Sequence, residues 1–412
     1  MKKIALFCVL IIVMLSLISN PGFTNSFYNS KGFGERIYFT HAQSIGMGGA
    51  LIASPDIYQI NTLNPAGLVF IPITRLNGDL VHQSLWSQSE NESGFAKNTN
   101  LNGINLAIPL KKDALVTAFG IVPATQFDYY FETQAQVNDY NYSKIIQAKG
   151  GLNRAFFGVG FSAAKWISLG GYFNYYFGKL EQTWKVDYVS DLFWDTQDRL
   201  TRKMWGYCFS VGVIVNPLTN LHIGGIYRSG YQLTAEDHLR NMTKKGNLSY
   251  TVSQQAYGEN KLTMPPLWGL GFSYAWKEKY RIAGDYLAEP WSKFKVDKIA
   301  INKYNDRDRF GFGFEILPTK NILATYFQKM TYRIGYFHQK LDVIDTGGNE
   351  VYEYGIALGL GFPFYMDMGR IDTAIRFGKR GNLIQNLVEE NIVQFFISVT
   401  GGEKWFVRRG EN

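Results

Sequence analysis

Two cysteines in 412 residues leave almost nothing to staple. Cys8 falls in an apolar leader, so Cys208 is alone in the mature chain and no intramolecular disulfide is expected. The five histidines, at 41, 82, 222, 238 and 338, are too dispersed to read as a ligand set, so neither a metal nor a cofactor is expected. Charged residues are scarce at 18%, against about a quarter in an ordinary soluble domain. The formal net charge of +8 contains no Lys/Arg block, which argues against a nucleic-acid partner. After residue 26 no apolar run reaches the ~18 residues of a membrane helix. Gly46-Met47-Gly48-Gly49 lacks the Lys and Ser/Thr of a phosphate loop, and no Gly-x-Ser-x-Gly elbow occurs. Asp285 and Glu289 would share one face of a strand some 13 Å apart at ~3.3 Å per residue, too far for a joint acid–base role. They read as charges balancing Arg281 or Lys293. No catalytic residue is expected, and the chain does not read as an enzyme.

Aromatics and glycine are abundant instead: 30 Phe, 26 Tyr, 9 Trp and 42 Gly. Mean hydropathy is only −0.14. An average near zero with so many aromatics is what a barrel gives, because lipid-facing and lumen-facing residues alternate and cancel. The alternation is explicit. Leu270, Phe272, Tyr274 and Trp276 face one way, and Gly271, Ser273, Ala275 and Lys277 the other. Ile371 to Phe377 and Val393 to Thr400 repeat the pattern. Aromatics gather near strand ends, as interfacial girdles require. Short turns such as Lys111-Lys112-Asp113 and Lys277-Glu278-Lys279 would face the periplasm. Longer polar stretches, near 88–98, 132–143, 189–200, 236–261, 295–306 and 344–350, would form loops outside.

Four regions follow. Residues 1–26 read as a Sec-type signal peptide, with Lys2 and Lys3 ahead of an apolar run broken only at Ser16. Residues 27–72 form an N-terminal hatch, 73–406 a fourteen-stranded antiparallel barrel, and 407–412 a C-terminal extension. In the hatch, Gly46, Gly48 and Gly49 remove Cβ atoms where the backbone turns or approaches another segment. Asn64-Pro65-Ala66-Gly67 is a turn in which Asn bonds its own downstream backbone, Pro fixes φ and Gly accepts φ > 0.

This order of small residues, Asp56 and then Asn64, Pro65, Ala66 and Gly67 ahead of a β-rich chain resembles the FadL/TodX family of outer-membrane transport proteins. Segments 225–229, 264–274, 284–292, 332–336 and 355–361 resemble that family's middle and late strands, so the likeness covers most of the mature chain. The ending Gly402-Glu403-Lys404-Trp405-Phe406 is similar to PorV-like relatives, which serve protein secretion. The resemblance implies an all-β transmembrane barrel in the outer membrane of a Gram-negative-type bacterium. Its function would be passive uptake of hydrophobic molecules such as long-chain fatty acids, leaving sideways into the bilayer. Partners would be an apolar ligand, outer-membrane lipid and lipopolysaccharide; the alternatives are secretion-system proteins as partners, or a structural, non-specific pore. Met47, Leu51, Ile52, Ile57 and Ile60 are candidate ligand-lining residues, equally readable as the hatch's own packing. Phe119, Gly120 and Pro123 are candidates for the lateral opening that the resemblance places in the third strand, since Pro inside a strand marks a bulge, kink or edge.

Overall fold

A computed structural model describes residues 26–137, 140–190, 192–246, 248–301, 303–319, 321, 323–364 and 368–405. The leader up to residue 25 and the extension 407–412 lie outside the described residues.

The strands, lettered in chain order, are β1 (Thr74–Ser89), β2 (Ser93–Lys111), β3 (Leu115–Val137), β4 (Tyr140–Ala164), β5 (Ile167–Tyr188) and β6 (Asp195–Leu218). β7 runs as Leu221–Arg228 and Tyr231–Lys245, and β8 as Leu248–Met264 and Leu267–Trp276. The shared interruption sets Ser229 and Gly230 opposite Pro265 and Pro266, because proline has no N–H to give the ladder. β9 (Tyr280–Glu289), β10 (Arg307–Ile316), β11 (Thr331–Ile344), β12 (Glu350–Phe364), β13 (Gly369–Asn382) and β14 (Val388–Glu403) complete the set. Every neighbouring pair is antiparallel, and β14 returns to β1 through a continuous register from Val388↔Ser89 to Glu403↔Thr74. The result is a closed fourteen-stranded barrel. Closure removes every sheet edge but those described below.

The alternation expected from sequence sets the two faces. Leu270, Phe272, Phe310, Phe312, Ile334, Tyr336, Ile356 and Leu358 are exposed and point outward. Their neighbours, such as Asp285, Arg309, Arg333 and Asp372, are buried inside.

The expected outer loops need correcting. The 90–92 connection is tight, β3 runs to Val137 and β4 begins at Tyr140, β7 runs to Lys245 and β8 begins at Leu248, so most of the polar residues assigned to loops continue the strands. On β4, β5 and β6 the outward apolar residues end near Phe157, Tyr175 and Tyr207, beyond which Lys149, Lys179 and Lys203 take the same face. The upper halves of β3–β8 therefore stand clear of the bilayer as a curved wall, because polarity on the outward face ended the lipid contact without ending the β pairing. The segment 290–306 is a true loop, and it folds back over the mouth by pairing Lys295 and Val296 with Thr263 and Leu262. On the opposite side the connections are two to four residues long, except for 317–330.

Candidate functional site: the hatch, the charged lumen and a split wall

The hatch lies inside the barrel as a short helix α1 (Ala42–Gly46), an irregular stretch and a 3₁₀ turn (Pro65–Phe70). Its shape is held by three side chains. Asp56 accepts from Tyr58 N (2.6 Å), Gln59 N (2.7 Å) and Gln43 Nε2 (2.6 Å). Asn61 donates to Leu51 O and accepts from Leu63 N and Asn64 N. Asn64 caps the 3₁₀ turn by accepting from Ala66 N (3.0 Å) and donates to Ile52 O (2.7 Å). Asn64→Ala strips both bonds in a fully buried site, an expected loss of ~1–3 kcal/mol of hatch order. It should appear as faster proteolysis after residue 50 in otherwise heat-modifiable, folded barrel.

The wall is cut to receive this shape. Gly48 and Gly49 have φ of +65° and +87°. A Cβ on Gly48 would lie 2.3 Å from Tyr336 O. Across the barrel, Gly160 and Gly170 leave room for the Pro65 carbonyl, and a Cβ on Gly212 would meet Asn64 Oδ1 and the Pro65 ring. Wall side chains then bond the hatch. Asp285 Oδ2 accepts from Leu51 N (2.5 Å) and Ile52 N (2.7 Å), Arg309 donates to Gly48 O (2.7 Å), and Tyr172 donates to Asn61 O (2.5 Å). The charge-balancing roles expected for Asp285 and Glu289 are thus corrected: Asp285 holds the hatch backbone, Glu289 pairs with Arg228, and Arg281 pairs with Glu315.

A chain of alternating charges runs round the wall. Arg281 meets Glu315 (2.9 Å), Glu315 meets Arg333 (2.8 Å), Arg333 meets Asp372 (2.7 Å), Asp372 meets Arg370 (2.6 Å), and Arg370 reaches Asp56 of the hatch (3.4 Å). Arg333 on β11 crosses β12 to reach β13 because Gly359 and Gly361 present no side chain between them. Burial alone would raise the Asp56 carboxyl, but Arg370 and the Gln59 and Tyr58 N–H groups outweigh it and hold it well below the usual carboxylate range.

The candidate ligand-lining residues are drawn into this packing. Met47 lies against Ala50 and Ala283, and Leu51 and Ile52 join an apolar cluster with Leu267 and Leu287. Ile60 packs with Leu68, Ile71 and Val116, while Ile57 is 46% exposed. The spaces left between hatch and wall are small, ≈ 40 Å³ and ≈ 60 Å³.

The wall itself is split. β2 and β3 pair only from Ile104↔Ile121 to Lys111↔Leu115. Above that, β2 stays with β1 and β3 with β4, whose register slips between Pro123 and Thr125. Phe119 and Gly120 lie just below the fork in paired wall, and Pro123 lies at it. Leu101, Ile104, Phe119 and Ile121 face outward around it, so the fork begins within the outward apolar band. A cavity of ≈ 450 Å³ lies here, lined by Ile37, Leu101, Pro123 and Phe127 among the amides of Asn98, Asn100 and Asn102 and the charges of Asp128, Lys149 and Lys179.

The N-terminal segment sits in the fork. Glu35–Arg36 pairs with Gln126 and Thr125 of β3, Ile37 N donates to Ala124 O (3.0 Å), and Asn102 of β2 donates to Thr40 O (2.7 Å). Asn98 of β2 and Asp128 of β3 bridge it higher up at 2.8 Å. Neither this wedge nor the asparagines were singled out from sequence. The signal present was Asn98-Thr99-Asn100-Leu101-Asn102, amide-rich in a strand that should be apolar on one face.

Inward from the fork an apolar cluster fills the upper barrel, with Phe33, Phe127, Leu152, Tyr231, Trp291 and Phe294 at its centre. It continues up the concave face of the wall through Ile146, opposite Trp184, and Tyr142, opposite Tyr188, to Trp194, which packs on Tyr250 with ring centroids 5.5 Å apart. Ile146, Trp184, Trp194 and Tyr250 are exposed.

A closed antiparallel barrel, filled by an N-terminal hatch and forked at its third strand, is a transmembrane barrel of the FadL/TodX fold. The chain belongs to the BamG family, whose sequence model, described as BamG, matches residues 1–412. The FadL/TodX resemblance read from the motifs thus holds for the fold, under a different family name. The chain is similar to the toluene transporter TodX of Pseudomonas putida at 15% identity and TM-score 0.61, covering 89% of this chain and 99% of that one. It is similar to a FadL homologue of Pseudomonas aeruginosa at 12% identity and TM-score 0.61, covering 90% and 99%. It is also similar to the toluene transporter TbuX of Ralstonia pickettii at 15% and 0.59, covering 89% and 98%. At such identities the likeness establishes the fold. No curated protein matches the chain.

Proposed function

We propose that this barrel takes up small hydrophobic molecules across the outer membrane and releases them sideways through the fork between β2 and β3. The observation that carries the reading is a run of apolar clusters leading to a cavity of mixed lining in the fork. It begins on the exposed concave wall at Trp194 and Tyr250, passes the Phe33–Trp291–Phe294 cluster, and ends at the cavity in the fork. An apolar molecule loses little by leaving the wall for the cluster and then the bilayer, whereas the charged lumen below would cost its full desolvation mismatch. The route therefore turns outward above the hatch. The similar solved structures are named for toluene and other monoaromatic hydrocarbons, which is the ligand class assigned here, with long-chain fatty acids as the second candidate. No covalent step is needed, and no residue is assigned a catalytic role.

The fork supplies the test. In Asn98→Cys/Asp128→Cys the two side chains that bridge it are replaced by thiols, which a bis-methanethiosulfonate closes into a reducible, disulfide-linked (oxidised) bridge. Uptake of labelled toluene and labelled oleate by whole cells should fall at least tenfold when the pair is oxidised and recover on reduction. Unchanged uptake in the oxidised protein would refute release through the fork.

A second reading has the sealed lumen in its favour: the barrel is a fixed component that docks protein at its tall outer wall, as the PorV-like ending implied. It predicts a stoichiometric protein partner on gentle purification and no ligand by native mass spectrometry.

A further inference from the structure

The one long connection on the periplasmic side, 317–330, carries a second feature that uptake does not use. It holds a short helix, Tyr326–Lys329, whose turn is closed by the Thr325 and Gln328 capping box. Leu317 N bonds Lys279 O (2.7 Å), and Tyr332 donates to Phe327 O (3.0 Å), so the connection is fastened to the barrel rim at both ends. Yet Leu323 is 93% exposed and Phe327 71%. Phe327 is also one wall of a cleft.

Between this connection and the 277–279 turn lies a cleft of ≈ 680 Å³, within the size range of small-molecule sites. Its floor is a row across three strands: Tyr280 of β9 pairs with Ile316 of β10, which pairs with Tyr332 of β11. All three alternate with inward Arg281, Glu315 and Arg333, so the row faces lipid. It extends the outward aromatic band, with Tyr280 stacked on Phe314 at a centroid distance of 6.1 Å. The cleft therefore opens toward the bilayer at its periplasmic rim. The Lys277-Glu278-Lys279 turn stands at that rim with a net single positive charge, the ammonium of Lys279 5.3 Å from the Tyr280 ring centroid.

We propose that this cleft binds one phospholipid of the periplasmic leaflet, with an acyl chain along Tyr280, Ile316, Tyr332 and Phe327 and an anionic headgroup on Lys277 and Lys279. Two features fix the occupant. The floor belongs to the lipid-facing surface, which a periplasmic protein does not reach, and the rim offers cations where headgroup phosphates lie. The site is independent of the uptake route, since it lies outside the wall and at the opposite end of the barrel.

The test uses full-length barrel purified from mixed micelles of detergent with either phosphatidylglycerol or phosphatidylcholine, followed by native mass spectrometry. The wild type should retain one phosphatidylglycerol per barrel, and Lys277→Gln/Lys279→Gln should cut that retention at least fivefold while heat-modifiability stays unchanged. Phosphatidylcholine should bind more weakly and be indifferent to the two substitutions. Equal phosphatidylglycerol retention by wild type and variant would overturn the proposal. As an arm that needs no loss of charge, benzoylphenylalanine at position 323 should crosslink phospholipid in intact outer membranes. A crosslink to a periplasmic protein would overturn the lipid reading in favour of a protein dock.

Discussion

Gly48→Val is expected to unseat the hatch and turn a closed barrel into an ion-conducting one. The residue has φ +65°, which a β-branched side chain resists, and its Cβ would sit 2.3 Å from Tyr336 O and 2.6 Å from Phe312 O. Backbone of two wall strands cannot step aside without breaking ladder bonds, so the hatch must move. Leaving the wall, it gives up the bonds to Asp285, Arg309 and Tyr172 together. The barrel itself is closed by β1–β14 pairing and does not depend on the hatch for its ladder. Planar-bilayer recording should show steady conductance at least tenfold above the wild type, with the same heat-modifiable migration. A variant as silent as the wild type would mean that the hatch tolerates the clash.

The second large effect is expected from Arg333→Met. The Arg333 side chain is fully buried, bonded to Glu315 on one side and Asp372 on the other. Methionine fills much of the volume but leaves each carboxylate with a single cationic neighbour, Arg281 for Glu315 and Arg370 for Asp372. Removing one member of a buried charge chain costs about 3–5 kcal/mol, because the desolvated partners remain. Urea unfolding in detergent should show that loss as a lower midpoint with an unchanged slope. Because the chain ends at Asp56, hatch proteolysis should accelerate before the barrel unfolds. The double variant Arg333→Met/Asp372→Leu should regain part of the stability, which separates charge imbalance from lost packing.

The fold was legible in the sequence. Strand alternation such as Leu270 to Trp276 is a local property, and a barrel keeps every local alternation intact because each strand sees lipid on one side and lumen on the other. Gly48, Asn64 and Pro65 stand out in the sequence for a related reason, since their backbone demands are written in residue types. The outer wall was misread as loops because polarity was taken for irregular structure. Residues such as Lys149 and Lys179 are polar on the outward face, and that polarity says only that lipid has ended. The role of Asp285 was missed because its partners, Leu51 N and Ile52 N, lie more than 230 positions away.

The sequence by itself determined the class of fold and the strand number, since both rest on residue type and on a period of two. Only the tertiary structure decided which wall charges pair, that Gly359 and Gly361 open a path for Arg333, that the wall forks at Pro123, and that Glu35–Arg36 enters the fork. Those are meetings between distant segments. A closed barrel fixes them through register, and a register shift of one residue would exchange every lumen contact for a lipid one.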